Sequence, residues 1–249
     1  MIELQHVTKV FNRGKINEVR ALEDVTLSIA DGEFVVLVGA NGSGKTTLLN
    51  MIAGAVIPNE GWVSLNGQEV TRLPEHKRSR WVARVFQNPL AGTAPELSIL
   101  DNFRLASLRT GKKRLVIGIN DQFRNTVRDK IAGLGLGLEN KLQQPMGSLS
   151  GGQRQALTLL MSVMDHTDIL LLDEPTAALD PRSAEVVMET ARKIIADYRL
   201  TTMLITHNMR ETLRFGNRII HMAGGRVVHD IDAEAKKALK LEDVYGWFG

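Results

Sequence analysis

The chain has 249 residues, room for one large α/β domain or two small ones. Hydrophobic residues make up 43% and charged residues 24%, so a sizeable core can be buried, which argues against a disordered chain. The net charge of +3 is too small to call for nucleic acid, and without Cys there is no disulfide framework, thiolate metal site or thiol chemistry.

The opening residues, MIELQHVTKV, carry no apolar run behind a basic start, so no signal peptide is expected. Residues 2–7 and 25–29 alternate apolar and polar side chains, as half-buried strands do. Asp31-Gly32 marks a turn, and the continuous apolar run 34–38 predicts a strand. A glycine-rich turn follows, then a helix over about 44–53. Residues 61–66, closed by Asn66-Gly67, predict another strand, and 82–86 a further one. From about 88 to 164 the pattern turns helical, with helical spacing over 97–108 and 121–134. Between these lie a basic stretch, Gly111-Lys-Lys-Arg114, and residues 115–119. A helix is predicted over 154–163, a buried strand over 169–172, a helix over 181–197 and a strand over 202–206. Residues 219–222 and 226–229 resemble a hairpin around Gly224-Gly225, and a charged helix over 233–245 ends the chain. No run approaches the ~20 apolar residues of a spanning helix. The protein is therefore expected to be soluble or peripheral, reaching a membrane only through a partner. Strands alternating with helices predict a mostly parallel sheet covered on both faces, and the helical middle an inserted subdomain.

Gly39-Ala-Asn-Gly-Ser-Gly44-Lys45-Thr46 matches the P-loop pattern in full, with a strand before it and a helix after it. Gly39, Gly42 and Gly44 let the backbone curl until successive N–H groups converge on phosphate oxygens. The helix starting near Gly44 adds its positive end. Lys45 supplies a charge for the β- and γ-phosphates, and Thr46 a hydroxyl for Mg²⁺. Asn41, Ser43 and Thr47 complete the expected nucleotide-binding set within this stretch.

Ile169-Leu-Leu-Leu172-Asp173-Glu174 is an apolar strand ending in two acids, at the sheet edge where α/β proteins place ligands. Adjacent strand residues point in different directions, so the two acids need different jobs. Behind a P-loop, Asp173 can hold Mg²⁺ through its water shell and Glu174 can take a proton from attacking water. Leu149-Ser150-Gly151-Gly152-Gln153 stands just before a helix, with Ser150 as a natural N-cap. Read alone, it is more often an ordinary capped helix than a second anion site.

The P-loop, then Leu149-Ser150-Gly151-Gly152-Gln153, then Ile169-Leu-Leu-Leu172-Asp173-Glu174, in that order and spacing, resemble the nucleotide-binding domain of ABC ATPases over essentially the whole chain. The resemblance implies a P-loop NTPase core with a mostly parallel sheet, an antiparallel β subdomain and an inserted α-helical subdomain. Within a single domain over 1–249, residues 1–87 and 166–230 would form the core with its β subdomain, 88–165 the helical subdomain and 231–249 a C-terminal helix. It also implies ATP and Mg²⁺ as cofactors, and a head-to-tail pair with two ATP molecules sandwiched between the copies. In that pair Ser150, Gly151, Gly152, Gln153 and Asp180 of one copy would meet the nucleotide on the other. Gln87 matches the glutamine that reaches Mg²⁺ or the attacking water, and His207 the histidine near the γ-phosphate. Phe11 stands where an aromatic stacks on adenine; Tyr is commoner there. The resemblance makes Glu174, His207, Gln87 and Lys45 the catalytic set, and Thr46, Gln87 and Asp173 the metal set.

A closer resemblance rests on Leu73-Pro-Glu-His-Lys-Arg78, Arg84-Val-Phe-Gln87, Gly92-Thr-Ala-Pro95, Gly151-Gly-Gln-Arg-Gln-Ala-Leu-Thr-Leu-Leu160 and Thr206-His-Asn-Met209. These look like a bacterial branch that pairs with a separate permease and a lipoprotein-type substrate-binding protein. Some members are linked to uptake of tryptophan, tyrosine or related solutes. Many carry His where this chain has Pro175. The resemblance thus implies a peripheral subunit on the cytoplasmic face of the membrane, powering import. The alternatives are an exporter ATPase or a soluble ABC ATPase acting on DNA or ribosomes. Asn88-Pro-Leu-Ala-Gly-Thr-Ala-Pro95 is small and apolar, as a groove for a permease helix would be, although alone it reads as a surface loop. The basic stretches His76-Lys-Arg-Ser-Arg80 and Lys112-Lys-Arg114 are expected to be a solvated helix face and a charged loop.

Overall fold

The computed structural model describes residues 1–110 and 118–247, so Lys112-Lys-Arg114 and residues 115–117 lie outside the described residues. The chain begins with β1 (Ile2–Phe11), β2 (Val19–Ile29) and β3 (Phe34–Val38), then α1 (Lys45–Ala53). Next come β4 (Glu60–Leu65), β5 (Gln68–Glu69), α2 (Glu75–Arg78) and β6 (Val82–Val85). A helical stretch follows: α3 (Ile99–Ala106), α4 (Asp121–Ala132), a 3-10 turn (Met146–Ser148) and α5 (Gly151–Ser162). After it come β7 (Ile169–Asp173), α6 (Pro181–Tyr198), β8 (Thr201–Ile205) and α7 (Met209–Arg214). The end is β9 (Arg218–Ala223), β10 (Arg226–Ile231), α8 (Ala233–Ala238) and α9 (Leu241–Tyr245).

The strands form two sheets. One has the order β2-β1-β4-β5 and is antiparallel throughout. The other has the order β10-β9-β3-β8-β7-β6 and is parallel except at the β9–β10 edge. Its strands are runs of Val, Leu and Ile because both faces are buried. Alternate residues serve different cores. Val35, Leu37, Ile169, Leu171 and Met203 face α1 and the antiparallel sheet, whose Leu4, Leu27 and Val63 complete that core. Val36, Val38, Leu170, Leu172 and Leu204 face the other way, onto Leu157 and Leu160 of α5, Ala191 of α6 and Phe103 of α3. Each fully buried Leu or Ile contributes roughly 1.5–3 kcal/mol, so both faces of the central sheet hold it in place.

Two expectations change. The basic run at 76–80 is not wholly solvated: Arg78 is fully buried. Its guanidinium donates to Met51 O at 2.7 Å, Ile52 O at 3.0 Å, Thr71 O at 3.0 Å and Leu73 O at 2.8 Å. Two of those carbonyls lie in the last turn of α1, where orphan acceptors and the negative end of the helix dipole attract a cation. Burial lowers its pKa to about 10. The C-terminal stretch is two short helices rather than one. Leu239 and Lys240 take extended backbone angles, which lets Leu239 pack on the core and Val244 be buried. Asp243 then accepts the Lys240 N–H at 2.8 Å to restart the helix. Beyond it, Trp247 stacks on His221 and His229, each with ring centroids 5.3 Å away.

Candidate functional site

β3 ends at Val38 and α1 begins at Lys45, so residues 39–44 form the turn between them. A Cβ at Gly39 would lie 2.2 Å from Met222 O, and one at Gly44 2.4 Å from Ala21 O. The turn is thus pressed between β9 and β2 at distances only glycine allows. Gly44 gives α1 no side-chain cap, whereas Ser98, Asn120, Ser150, Asp180, Asn208 and Asp232 cap α3 to α8. The first N–H groups of α1 have no intrahelical acceptor, so this helix presents an open anion-binding end. Lys45 is buried and donates to Gly39 O at 2.8 Å and Ala40 O at 2.9 Å. Burial lowers its pKa, while the nearby carboxylates of Glu174 and Asp173 oppose that shift.

A cavity of about 260 Å³ opens over this turn, lined by residues 41–47 together with Phe11, Val19, Ala21, Glu174 and His207. Phe11, at the end of β1, is 37% exposed, so its ring face is accessible. Val19 and Ala21 also belong to this wall. The alternating pattern at 25–29 did not reveal them, because β2 starts six residues earlier.

The two acids at the end of β7 diverge as strand geometry requires. Asp173 Oδ2 accepts from Arg84 Nη2 of β6 at 2.5 Å. Glu174 Oε1 lies 2.8 Å from His207 Nε2, just after β8. Since β7 lies between β6 and β8, the acids serve opposite neighbours. Glu174 has φ +50°, a left-handed conformation uncommon for a non-glycine residue. This turn swings its carboxylate off the strand line towards the cavity. His207 is framed by Thr206, whose hydroxyl donates to Glu211 Oε2 at 2.6 Å. Glu211 lies on α7, a helix without a sequence signal beyond its Asn208 cap.

Gln87 is exposed in the bend after β6 and does not line the cavity. Its preceding residue is held by Gln155 of α5, whose amide donates to Phe86 O at 2.9 Å. Ser150, Gly151, Gly152 and Gln153 also lie away from the cavity of their own chain. Ser150 and Gln153 cap each other reciprocally at 3.2 Å. A Cβ at Gly152 would lie 2.7 Å from Ser183 Cβ, so α5 and α6 meet at their N-termini. Asp180 caps α6, accepting from Arg182 and Ser183 N–H at 3.1 Å each.

Among the described residues no group of three or more His, Cys, Asp or Glu is set to hold a metal alone. A single carboxylate, Asp173, together with the Thr46 hydroxyl at the start of α1, is a donor set that suits Mg²⁺, which keeps waters and relies on substrate phosphates. No helix among the described residues is long and apolar enough to cross a membrane.

A family model described as ABC transporter matches residues 22–177. A tyrosine transport ATP-binding protein of Clostridioides difficile is 37% identical over 246 residues, covering 98% of this chain and 97% of that protein. A phosphonates import ATP-binding protein of Rhizobium johnstonii is 35% identical, covering 99% of this chain and 86% of that protein. Among solved structures, a dimeric ATP-binding cassette in a post-hydrolysis state with ADP and Pi has a TM-score of 0.79 at 29% identity, covering 94% of this chain and 99% of that one.

Proposed function

Because this chain belongs to the ABC transporter family of ATP-binding, ATP-hydrolysing subunits, we propose that it powers import of a small solute such as an amino acid through a separate permease. It would work at the cytoplasmic face of the membrane as a head-to-tail pair around two ATP molecules, with a substrate-binding lipoprotein feeding the permease. The observation that carries the catalytic part is the 2.8 Å contact between Glu174 and His207 at the rim of the P-loop cavity. Import and solute class are supported by the names of the relatives, a tyrosine transport and a phosphonates import protein.

In this reading the Phe11 ring stacks on adenine, and the open end of α1 with Lys45 holds the phosphates. Thr46 and Asp173 would hold Mg²⁺, with Gln87 joining them from its exposed bend, and the ion would draw electron density from the phosphate oxygens. Glu174 accepts the proton of the attacking water. His207, 2.8 Å from Glu174 on the cavity wall, is placed to meet the γ-phosphate. Ser150, Gly151, Gly152, Gln153 and Asp180 complete the site of the second copy.

Glu174→Gln is expected to keep ATP binding while hydrolysis falls at least about 100-fold. Normal turnover in that variant would remove Glu174 as the base. Import is tested by uptake of labelled tyrosine in host cells carrying wild-type or Glu174→Gln protein. Equal uptake by both would set aside the solute assignment.

A further inference from the structure

Arg84 is not among the nucleotide, metal or catalytic positions named above, yet it contacts Asp173 of the candidate metal set. In the parallel register Arg84 faces Leu171, so its side chain, Leu171 and Asp173 share the α1 face of the sheet. The side chain is only 12% exposed. Nη2 donates to Asp173 Oδ2 at 2.5 Å, and Nη1 donates to Asn50 Oδ1 at 2.5 Å. Asn50 is four residues after Thr46 on α1, so the two share a helix face one turn apart. Arg84 itself is three residues before Gln87 on β6 and its exit bend. One planar guanidinium therefore touches all three elements that carry Thr46, Asp173 and Gln87. The Phe86 ring stacks over it at 4.6 Å, fixing its plane. Among the described residues Arg84 is the only side-chain hydrogen-bond partner of the Asp173 carboxylate, and it occupies Oδ2, leaving Oδ1 free of side-chain partners.

We propose that Arg84 is a positioning residue for Mg²⁺: its fork sets the spacing of α1, β6 and β7 and aims Asp173 at the ion. Burying a cation whose Nε has no partner is costly. A hydrophobic residue of similar volume would fill this space at lower cost if packing were the only requirement. The fork is what a lysine cannot supply, since an ammonium group is a point charge without the planar geometry to hold Asn50 and Asp173 together.

This inference rests on the proposed function, and the test separates the two. A fluorescent non-hydrolysable ATP analogue is titrated into the full chain in EDTA and across a Mg²⁺ series. Arg84→Met is expected to bind the analogue in EDTA as the wild type does, while its Mg²⁺ half-saturation rises about 10- to 100-fold, the usual cost of losing an outer-shell partner. Arg84→Lys is expected to recover only part of that loss. Asn50→Leu, which keeps the Asp173 contact, is expected to give a smaller rise and serves if Arg84→Met does not fold. An unchanged Mg²⁺ half-saturation in Arg84→Lys and Asn50→Leu overturns the inference. So does a lowered one, since Arg84 would then compete with the ion. Failure of the wild type to bind the analogue at all would instead overturn the proposed function.

Discussion

Gly39, Gly42 and Gly44 have positive φ angles, but they are not equivalent. A Cβ at Gly42 meets open space, whereas one at Gly44 would sit 2.4 Å from Ala21 O. Gly44→Ala is therefore expected to cost about 1–3 kcal/mol through strain and to abolish nucleotide binding. Gly42→Ala should cost less. Urea midpoints and an ATP titration compare the two, and equal midpoints would remove the packing argument. At this scale the sequence was most legible where several residues combine in a fixed order. The P-loop and the Asp173-Glu174 pair could be read because strand, turn and helix cues surround them. The Glu174–His207 contact spans 33 positions and depends on a left-handed backbone at Glu174, which no local pattern signals. Arg78 sits among basic neighbours that are solvated, and only the carbonyls at the end of α1 and at Thr71 and Leu73 explain why it is buried.

Among the elements, buried strands and long amphipathic helices were readable, since periods of 2 and 3.6 show over several residues. Short ones were not. β5, α2 and α7 have two, four and six residues, too few to display a period. The C-terminal stretch misled because charged side chains flank the break, while the cause of the break lies in the core that Leu239 and Val244 reach. α8 also carries Lys236, whose ammonium donates to Phe215 O and to Gly216 O, the latter at 2.9 Å, just past α7. Burial lowers its pKa from 10.5 to about 8. Between those values the unfolded chain holds a proton that the folded chain has released, so stability should rise with pH across this window. Melting temperatures of wild type and Lys236→Met should therefore diverge in favour of the wild type as pH climbs from 8 towards 10.5. Parallel pH profiles would show that Lys236 titrates normally.

For the whole molecule, the fold class was legible and the assembly less so. Alternating strands and helices announce a parallel sheet, but no sequence period tells that Ser150 and the P-loop of one chain serve separate places. In the structure Ser150 lies outside the cavity that holds residues 41–47. If sites are shared between copies, Ser150→Arg should leave ATP binding intact in each chain and stop turnover. Mixing Ser150→Arg chains with Glu174→Gln chains should then restore part of the turnover, because the mixed pair contains one undamaged site. Absence of any recovery would overturn the head-to-tail pairing.

The central sheet divides the interior completely. The apolar residues buried on its α1 side and those on its α5 side are separate sets. Neither core can push on the other through side chains without bending the strands between them. If nucleotide occupies the P-loop as proposed, its presence would be relayed around the partition, along the carboxyl rim where Gln87, Asp173, Glu174 and His207 follow neighbouring strands.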